Sequence, residues 1–170
     1  MIVNKAYRYR LYPTREQKMM FAKTFGCVRF IYNKMLSDRI DYYKETGQKL
    51  NNTPAQYKEE FPWLKEVDSL ALANAQMNLN KAYSHFWNDS QHFGKPRFKS
   101  KKNRRASYST NNQKGSVRIE GHKVKLPKVG WVKLCQHRPL PENSIIKTVT
   151  ISKTPSGKYY ISMLVEYENQ

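Results

Sequence analysis

The sequence predicts an α+β fold, in which a small β-barrel takes in a block of helices after its first strand. Three observations lead to this prediction. Apolar and polar side chains alternate from Val3 to Leu11, as in a half-buried strand. Apolar residues then recur at intervals of three and four between Phe21 and Phe86, and after Gly94 the period changes to two. The first strand is most simply added to the later sheet, which makes the helices an insertion.

The first strand is predicted to bury one face and to expose arginines on the other. One face carries the apolar members Val3, Tyr7, Tyr9 and Leu11. The opposite face carries Arg8 and Arg10. A strand of this kind covers a core with one side and leaves cations available on the other.

Two long helices are predicted between the strands. Thr14 and Gln17 have the spacing of a capping box directly after Pro13, and the helix that they begin is expected to end near Gly47. Its buried stripe is Phe21, Phe25, Val28, Tyr32, Met35 and Ile40. A short helix over residues 55–60 should stop at Pro62, and Asp68 can cap the second long helix. The stripe of that helix is Leu72, Ala75, Leu79, Ala82 and Phe86.

Four or five strands are predicted in the last third of the chain. Val117 and Ile119 can pair with Val124 and Leu126 across the turn at Gly121-His122. Further strands are expected over residues 131–135, 145–153 and 158–168, the last two joined by the turn at 155–157. The predicted division is therefore residues 1–12 for the first barrel strand, 13–92 for the helical block and 93–170 for the rest of the barrel.

Positive charge is concentrated in one part of the chain. Of 31 Lys and Arg against 13 Asp and Glu, residues 91–138 hold 14 cations and one acid, which is +13 of the net +18. The stretch from Phe93 to Asn112 has seven Lys and Arg and no acid. This pattern is typical of a nucleic-acid-binding surface. A disordered basic linker is one alternative, and an anionic membrane surface is another, although no apolar run of about 18 residues occurs.

Candidate contacts divide into two chemical groups. The cations expected to address phosphates are Lys95, Arg97, Lys99, Lys101, Lys102, Arg104 and Arg105. Amides and hydroxyls that could reach base edges follow directly at Thr110 and Asn111, and also stand at Ser69 and Asn74. Tyr108 could stack on a base, and packing onto the barrel is an equal alternative for it.

The sequence offers no arrangement suited to catalysis. No carboxylates, histidines or serines have the spacing of a two-metal site, a metal-binding pair or a nucleophile, so no catalytic and no metal-ligating residue is predicted. Cys27 and Cys135 are isolated, which favours reduced thiols in a cytoplasmic setting. The N-terminus has no apolar core of a signal peptide.

Five motifs occur together in an order that resembles the TnpB (OrfB) proteins of insertion sequences. The motifs are NKAYRYRLYPTREQ, FGCVRFIYNKML, KPRFKSKK, STNN and KLPKVGWVKL. The resemblance runs from residue 1 to about residue 168. It implies an RNA-guided DNA endonuclease, whose N-terminal half is a wedge-type (OB-like) β-barrel with a helical recognition lobe inserted after the first strand.

The resemblance also implies partners and contact residues. Guide RNA from the transposon end would be met by the arginines Arg8 and Arg10 and by the cations between 95 and 102. Target DNA with a short flanking motif would be met near Thr110 and Asn111 and at Ser69, Ala73 and Asn74. Relatives carry longer polar side chains at the positions of Ser69 and Ala73, so the preferred motif is open.

The family's nuclease is expected to lie outside these 170 residues. A RuvC-like domain, with its Mg²⁺ and Zn²⁺ ligands, would follow the last barrel strand, so this chain alone is expected to bind without cutting and to need no cofactor. The expected partners are therefore RNA and DNA and not a membrane, and the expected location is a bacterial or archaeal cytoplasm. The alternative is a free-standing regulator without nuclease, which controls transcription or transposition by occupying DNA, with or without a guide.

Overall fold

A computed structural model describes residues 1–102 and 105–169 of the chain. The elements in chain order are β1 (Ile2–Tyr12), α1 (Arg15–Thr46), two 3₁₀ helices (Pro54–Tyr57 and Pro62–Glu66), α2 (Ser69–Asn88), β2 (Ala106–Asn111), β3 (Arg118–Glu120), β4 (Lys123–Leu126), β5 (Gly130–Cys135), β6 (Ile145–Lys153) and β7 (Tyr159–Glu168). They form two compact units, a sheet unit of residues 1–25 and 104–170 and a helical unit of residues 26–103.

The seven strands form one antiparallel sheet, curled into a half-barrel, in the order β2-β6-β7-β1-β5-β4-β3. The first strand lies inside this order and not at an edge. β1 pairs with β7 from Ile2↔Glu168 to Leu11↔Tyr159, and its C-terminal end also pairs with β5. Addition of the first strand to the later sheet is therefore confirmed, whereas OB-like closure of the sheet stays a prediction.

The predicted alternation along β1 is confirmed. Tyr7, Tyr9 and Leu11 are buried, Arg8 is exposed and Arg10 is half-buried. Partners from the neighbouring strands complete the same core, and its fully buried members include Val132, Leu134, Val149, Ile151, Ile161, Met163 and Val165. The inner face of the sheet is thus an apolar layer that takes every second side chain of each strand.

β2 is an element that the sequence analysis did not predict. Residues 106–111 are mostly polar, so they give no apolar alternation to recognise. In the structure β2 pairs with β6, which places Tyr108 opposite Ile151 and Thr110 opposite Val149 on the buried face. A neighbouring strand, and not local sequence preference, makes this segment extended.

The predicted helix ends are confirmed in detail. The Thr14 amide donates to Gln17 Oε1 at 3.0 Å and the Gln17 amide donates to Thr14 Oγ1 at 3.2 Å, which is a complete capping box. α1 ends before Gly47, whose φ of +70° suits a residue without Cβ. The Asp68 carboxylate accepts from the Leu70 amide at 3.0 Å at the start of α2.

The link between the long helices differs from the prediction. Instead of one short helix over 55–60, two 3₁₀ helices begin at Pro54 and at Pro62. Proline fits the first turn of a helix and interrupts one that reaches it from the N-terminal side, which divides this link in two.

A buried hydrogen-bond network joins this link to α1. Asn52 is 3% exposed. Its side-chain amide donates to the Met35 carbonyl at 3.2 Å and to the Tyr57 hydroxyl at 2.8 Å, and its Oδ1 accepts from Arg39 Nε at 2.7 Å. Tyr57 in turn donates to Asp38 at 2.7 Å, and burial, followed by the bond to Asp38, raises the pKa of Tyr57 to about 12. One asparagine thus fixes the loop after α1.

No helix within the described ranges, 1–102 and 105–169, has the combined length and apolar character needed to cross a membrane.

We expect Asn52→Ala to lower the free energy of unfolding by about 1–3 kcal/mol, because the buried groups of Arg39 and Tyr57 lose a partner. Urea unfolding followed by circular dichroism measures this change. Asn51→Ala is the matched control, since Asn51 is exposed and its loss should stay within about 0.5 kcal/mol. Equal effects of the two substitutions would contradict the role given to the network.

Candidate nucleic-acid interface

The basic segment of residues 95–102 belongs to the helical unit and is hydrogen-bonded to Asn33 of α1. Asn33 Nδ2 donates to the Lys99 carbonyl at 2.8 Å, and the Lys99 amide donates to Asn33 Oδ1 at 2.7 Å. A side-chain amide can satisfy a backbone donor and acceptor at once in this way, as a neighbouring strand does. The basic segment is therefore fixed to α1 at its centre.

Lys99 has a further contact that the other cations of the segment do not share. Its ammonium lies 4.4 Å from the ring centroid of Tyr32, which is 6% exposed. Lys99 is exposed as a residue, but its ammonium loses part of its water, and this desolvation lowers the pKa of Lys99. Lys99 thus helps to hold the basic segment against α1 through a cation–π contact.

The remaining described cations of this segment point to solvent. Lys95, Arg97, Lys101 and Lys102 are exposed. None of these four has an ion-pair partner in the part of the chain that the structure describes. Phe98 lies among them with 55% of its surface exposed. Unpaired cations around an exposed ring suit a phosphate backbone with unstacked bases.

The last two predicted cations lie beyond this segment. Arg105 is exposed, and it belongs to the sheet unit. Arg104 lies outside the described residues.

Arg8 and Arg10 lie on the outer face of the sheet and stack on tyrosines. The guanidinium carbon of Arg8 is 4.0 Å from the ring centroid of Tyr160, and that of Arg10 is 5.1 Å from Tyr12. The buried Nε of Arg10 has no hydrogen-bond partner among the described residues. The rings therefore orient both guanidinium groups, and the exposed Arg8 can still donate hydrogen bonds to a ligand.

Hydroxyl side chains continue this outer face across four strands. The register places Arg8 opposite Ser162, Ser162 opposite Thr150 and Thr150 opposite Ser109. The next row contains Arg10, Tyr160, Ser152 and Ser107. Residues paired in this way lie on one face of a sheet, and none in these two rows is acidic. We call the two rows the hydroxyl face; it can donate and accept hydrogen bonds along a sugar-phosphate chain.

Two of the predicted DNA contacts are buried. Tyr108 is 4% exposed, and its ring centroid lies 5.6 Å from that of Phe25 and 6.3 Å from that of Phe21. Thr110 is 0% exposed. The packing alternative for Tyr108 is the one that the structure has. The pleat of β2 turns both side chains inward, away from the surface that DNA would touch. Contact between DNA and these side chains stays a prediction.

The remaining predicted DNA contacts lie nearer the surface. Asn111 is half-buried on the outer face of β2, with its Nδ2 3.5 Å from Thr148 Oγ1. On α2, Ser69 is exposed and Ala73 is half-buried. Asn74 donates to the Leu70 carbonyl at 2.8 Å, which occupies part of its amide. Asn111 lies in the sheet unit and the α2 residues lie in the helical unit.

Several acids and one histidine make contacts within the protein. Asp38 accepts from Tyr57, Glu166 pairs with Lys147 at 3.1 Å, and Asp89 lies 2.8 Å from His92. Within residues 1–102 and 105–169, no group of three or more His, Cys, Asp or Glu side chains could hold a metal ion.

Asn33, Tyr32 and Tyr160 orient the predicted cations, a role that was not predicted for them from the sequence. Asn33 is a polar residue inside an amphipathic helix and lies in the motif FGCVRFIYNKML, but neither signal identifies the partner 66 residues away. The alternation along β1 predicted that Arg8 and Arg10 lie on the outer face of the strand. Only the pairing with β7 brings Tyr160 beneath them.

Comparisons with known proteins give one domain and several relatives. A family model for OrfB proteins of the IS605 type, described as a helix-turn-helix domain, matches residues 1–48. In this range the structure has β1 followed by α1.

Two curated relatives align with 96% of the chain. One, from Streptomyces pristinaespiralis, is named as a proposed RNA-guided DNA endonuclease and is 32% identical. The other, InsQ of Escherichia coli (strain K12), carries the same description and is 27% identical. The alignments cover 42% and 41% of these relatives, so the chain spans about two fifths of their length.

A third relative is the virulence protein VsdF of Salmonella dublin. It is 33% identical over 113 residues, which are 57% of this chain and 93% of VsdF.

We expect Asn33→Ala to release the basic segment, because the backbone of Lys99 loses both hydrogen bonds. Limited trypsin digestion with mass spectrometry should show severalfold faster cleavage after Lys99 and Lys101. NMR of dimethylated lysines should show the pKa of Lys99 rising toward its ordinary value as the ammonium regains water.

Asn78→Ala is the matched control for this change, since Asn78 is an exposed asparagine of α2. Unaltered cleavage and an unaltered Lys99 pKa in Asn33→Ala would show that the segment is held by other contacts.

Proposed function

Because the chain belongs to the TnpB (OrfB) family of insertion-sequence proteins, we propose that its 170 residues bind guide RNA and the duplex DNA beside the target. In this proposal the chain is the recognition part of an RNA-guided DNA endonuclease. The sheet unit serves as an OB-like wedge barrel and the helical unit as the recognition lobe inserted after β1. The division at residues 12 and 92 that the sequence predicts stays part of this proposal, whereas the compact units of the structure divide at residues 25 and 103.

The observation that carries the proposal is the exposed, unpaired charge of the basic segment. Residues 91–138 hold 14 cations and one acid, and Lys95, Arg97, Lys101 and Lys102 are exposed. Like charge concentrated in this way destabilises the compact state through self-repulsion, and a bound polyanion would remove that cost. Neutralising phosphates also releases condensed counterions, which supplies affinity.

The hydroxyl face supports RNA as one of the ligands. Ribose presents a 2′-hydroxyl that both donates and accepts, and serine and threonine hydroxyls do the same. Arg8, stacked on Tyr160, offers a planar cation to a phosphate or to an unstacked base. We assign the guide-RNA backbone to this face and to the basic segment.

The DNA contacts are proposed on the accessible members of the predicted set. Ser69 and Ala73 lie in the first two turns of α2, where a short side chain lets a base edge approach closely. Asn111 offers an amide, which can pair with adenine in a bidentate manner. Tyr108 and Thr110 would act indirectly, by holding β2 in register under Asn111. In RNA-guided recognition, the protein reads a short duplex motif beside the target before the guide RNA pairs with the target strand.

Cleavage is proposed to belong to the rest of the relatives' length. Both curated relatives named as endonucleases extend well beyond the aligned region. Metal-dependent hydrolysis needs carboxylates that converge on two cations, and Mg²⁺ would act there, with Zn²⁺ in a structural site. This chain would place the nucleic acid for that chemistry.

The match to VsdF favours a second candidate function. Nearly all of that relative aligns with part of this chain, so a protein can consist largely of this region. A regulator without nuclease would use the same RNA- and DNA-binding surfaces to block transcription or transposition.

The test of the proposal is binding of RNA from the end of the chain's own element. Fluorescence anisotropy at about 150 mM salt should give at least tenfold higher affinity for this RNA than for random RNA of equal length, because shape and unpaired bases add to phosphate contacts. Equal affinity for both RNAs would overturn the proposal. Metal-dependent cleavage by this chain alone would overturn the assignment of cutting to the remaining length.

We expect the double substitution of Lys101→Gln and Lys102→Gln to weaken RNA binding and to reduce the slope of log affinity against log salt by up to about 2. Each lysine lost removes at most one phosphate contact and the counterion that it releases.

Lys58→Gln with Lys65→Gln is the matched control, because these lysines also lie in the helical unit but outside the basic segment. An unchanged salt slope in the test variant, or an equal reduction in both variants, would contradict the assignment of phosphates to the basic segment.

A further inference from the structure

An open cavity lies within the helical unit, between the C-terminal parts of α1 and α2 and the loop that follows α1. Its volume is about 320 Å³, and Lys95 and Pro96 of the basic segment complete its lining. Small-molecule sites range from about 300 to 1,000 Å³, so the cavity is large enough for one compact ligand group. No described contact within the unit fills it, and the proposed phosphate contacts of residues 97–102 begin at its edge.

Aromatic side chains form the walls of this cavity. They are Tyr43 of α1 and Tyr83, Phe86 and Trp87 of α2. The ring centroids of Tyr43 and Trp87 are 6.3 Å apart, and those of Phe86 and Trp87 are 4.9 Å apart. Tyr43 is 49% exposed and Trp87 is 46% exposed. Large rings left open to solvent on neighbouring helices favour a ligand that is itself flat.

Among the described residues, four cations and no carboxylate line the same cavity. The cations are Arg39, Lys44, Lys49 and Lys95. The Lys49 ammonium lies 4.8 Å from the Trp87 ring centroid. Asp41 and Glu45 are exposed on α1 but do not line the cavity. The potential inside is therefore positive, which selects a ligand with negative charge.

Arg39 is held in place before any ligand enters. Its Nε donates to the buried Asn52 at 2.7 Å, and its guanidinium carbon lies 5.8 Å from the Tyr83 ring centroid. The two terminal nitrogens have no hydrogen-bond or ion-pair partner among the described residues. Partial burial lowers the pKa of Arg39, and an arginine remains charged despite this change. The guanidinium is thus a preorganised donor that an anion can use at small entropic cost.

We propose that this cavity binds one unpaired nucleotide of a bound RNA strand. The base stacks on Trp87, and the Tyr43 ring, which is tilted by 47° to that of Trp87, packs against the edge of the base. The phosphate is held by Arg39, Lys49 and Lys95. An acidic peptide would use the cations but leave four aromatic walls without a partner, whereas a nucleotide uses both. This inference rests on the proposed function, because the strand that runs along the basic segment delivers the nucleotide at Lys95.

Stacking on Trp87 is tested with two strands that differ only in their bases. The probes are a fluorescent 12-nucleotide uridine strand and a strand of equal length with abasic ribose phosphates. Trp87→Leu should lower the affinity for the uridine strand by about 5- to 150-fold and leave the affinity for the abasic strand within twofold. Trp63→Leu, in the same unit but outside the cavity, should change neither. Equal losses for both strands, or no loss for either, would overturn the inference.

The phosphate contact is tested with Lys49→Gln. This substitution should lower the affinity for both strands by a similar factor, because the abasic strand keeps its phosphates. Lys65→Gln should leave both affinities unchanged. A Lys49→Gln variant that binds both strands normally would overturn the phosphate assignment. Circular dichroism of each variant confirms that it is folded.

Cross-linking of the unaltered chain separates this inference from the proposed function. A guide-type RNA with single 4-thiouridine substitutions should cross-link to Tyr43 or Trp87 at one position of the strand. If the RNA binds specifically but no position cross-links to the cavity, the nucleotide site is wrong and the proposed function stands. If no RNA binds specifically, both the nucleotide site and the proposed function are wrong.

Discussion

The pairing of β1 with β7 is the constraint on which the rest of the sheet unit depends. It joins residues at opposite ends of the chain, from Ile2↔Glu168 to Leu11↔Tyr159, and the same strand also pairs with β5. Because side chains alternate along a strand, a slip of one residue would bring arginines into the core and tyrosines to solvent. The buried row of Tyr7, Tyr9 and Leu11 therefore fixes the register, and with it the composition of the outer face.

That register turns scattered polar residues into one surface. Serines and threonines of β2, β6 and β7 are far apart in sequence, yet Ser109, Thr150, Ser162 and Arg8 form one row across the sheet. The apolar inner face supplies the stability, so the outer face is free to vary in chemistry. In this protein it carries hydroxyls and ring-stacked arginines, a combination suited to a sugar-phosphate chain.

The helical unit meets a different physical problem, which is to keep a highly charged segment in place. Like charges from Lys95 to Lys102 repel one another and favour an extended, solvated chain. Two hydrogen bonds between the backbone of Lys99 and the side chain of Asn33 oppose this tendency, and so does the contact of the Lys99 ammonium with Tyr32. Lys99 thus holds the segment in place, and the neighbouring cations can contact phosphates. The Asn52 network serves the same unit by fixing Arg39 beside the aromatic cavity.

The sequence by itself determined the elements whose signals are local. The capping box at Thr14, the cap at Asp68, the β3–β4 pairing of Ile119 with Val124 and the strand over residues 145–153 follow from spacing, turn residues and alternation. The five motifs also indicated the family. Tertiary structure alone decided that the polar residues 106–111 form a strand and that Tyr108 and Thr110 turn inward. It also decided that Asn33 reaches Lys99 and that Tyr43 meets Trp87. Those outcomes depend on partners distant in sequence, and the free energy of such a contact exists only once the fold has brought both residues together.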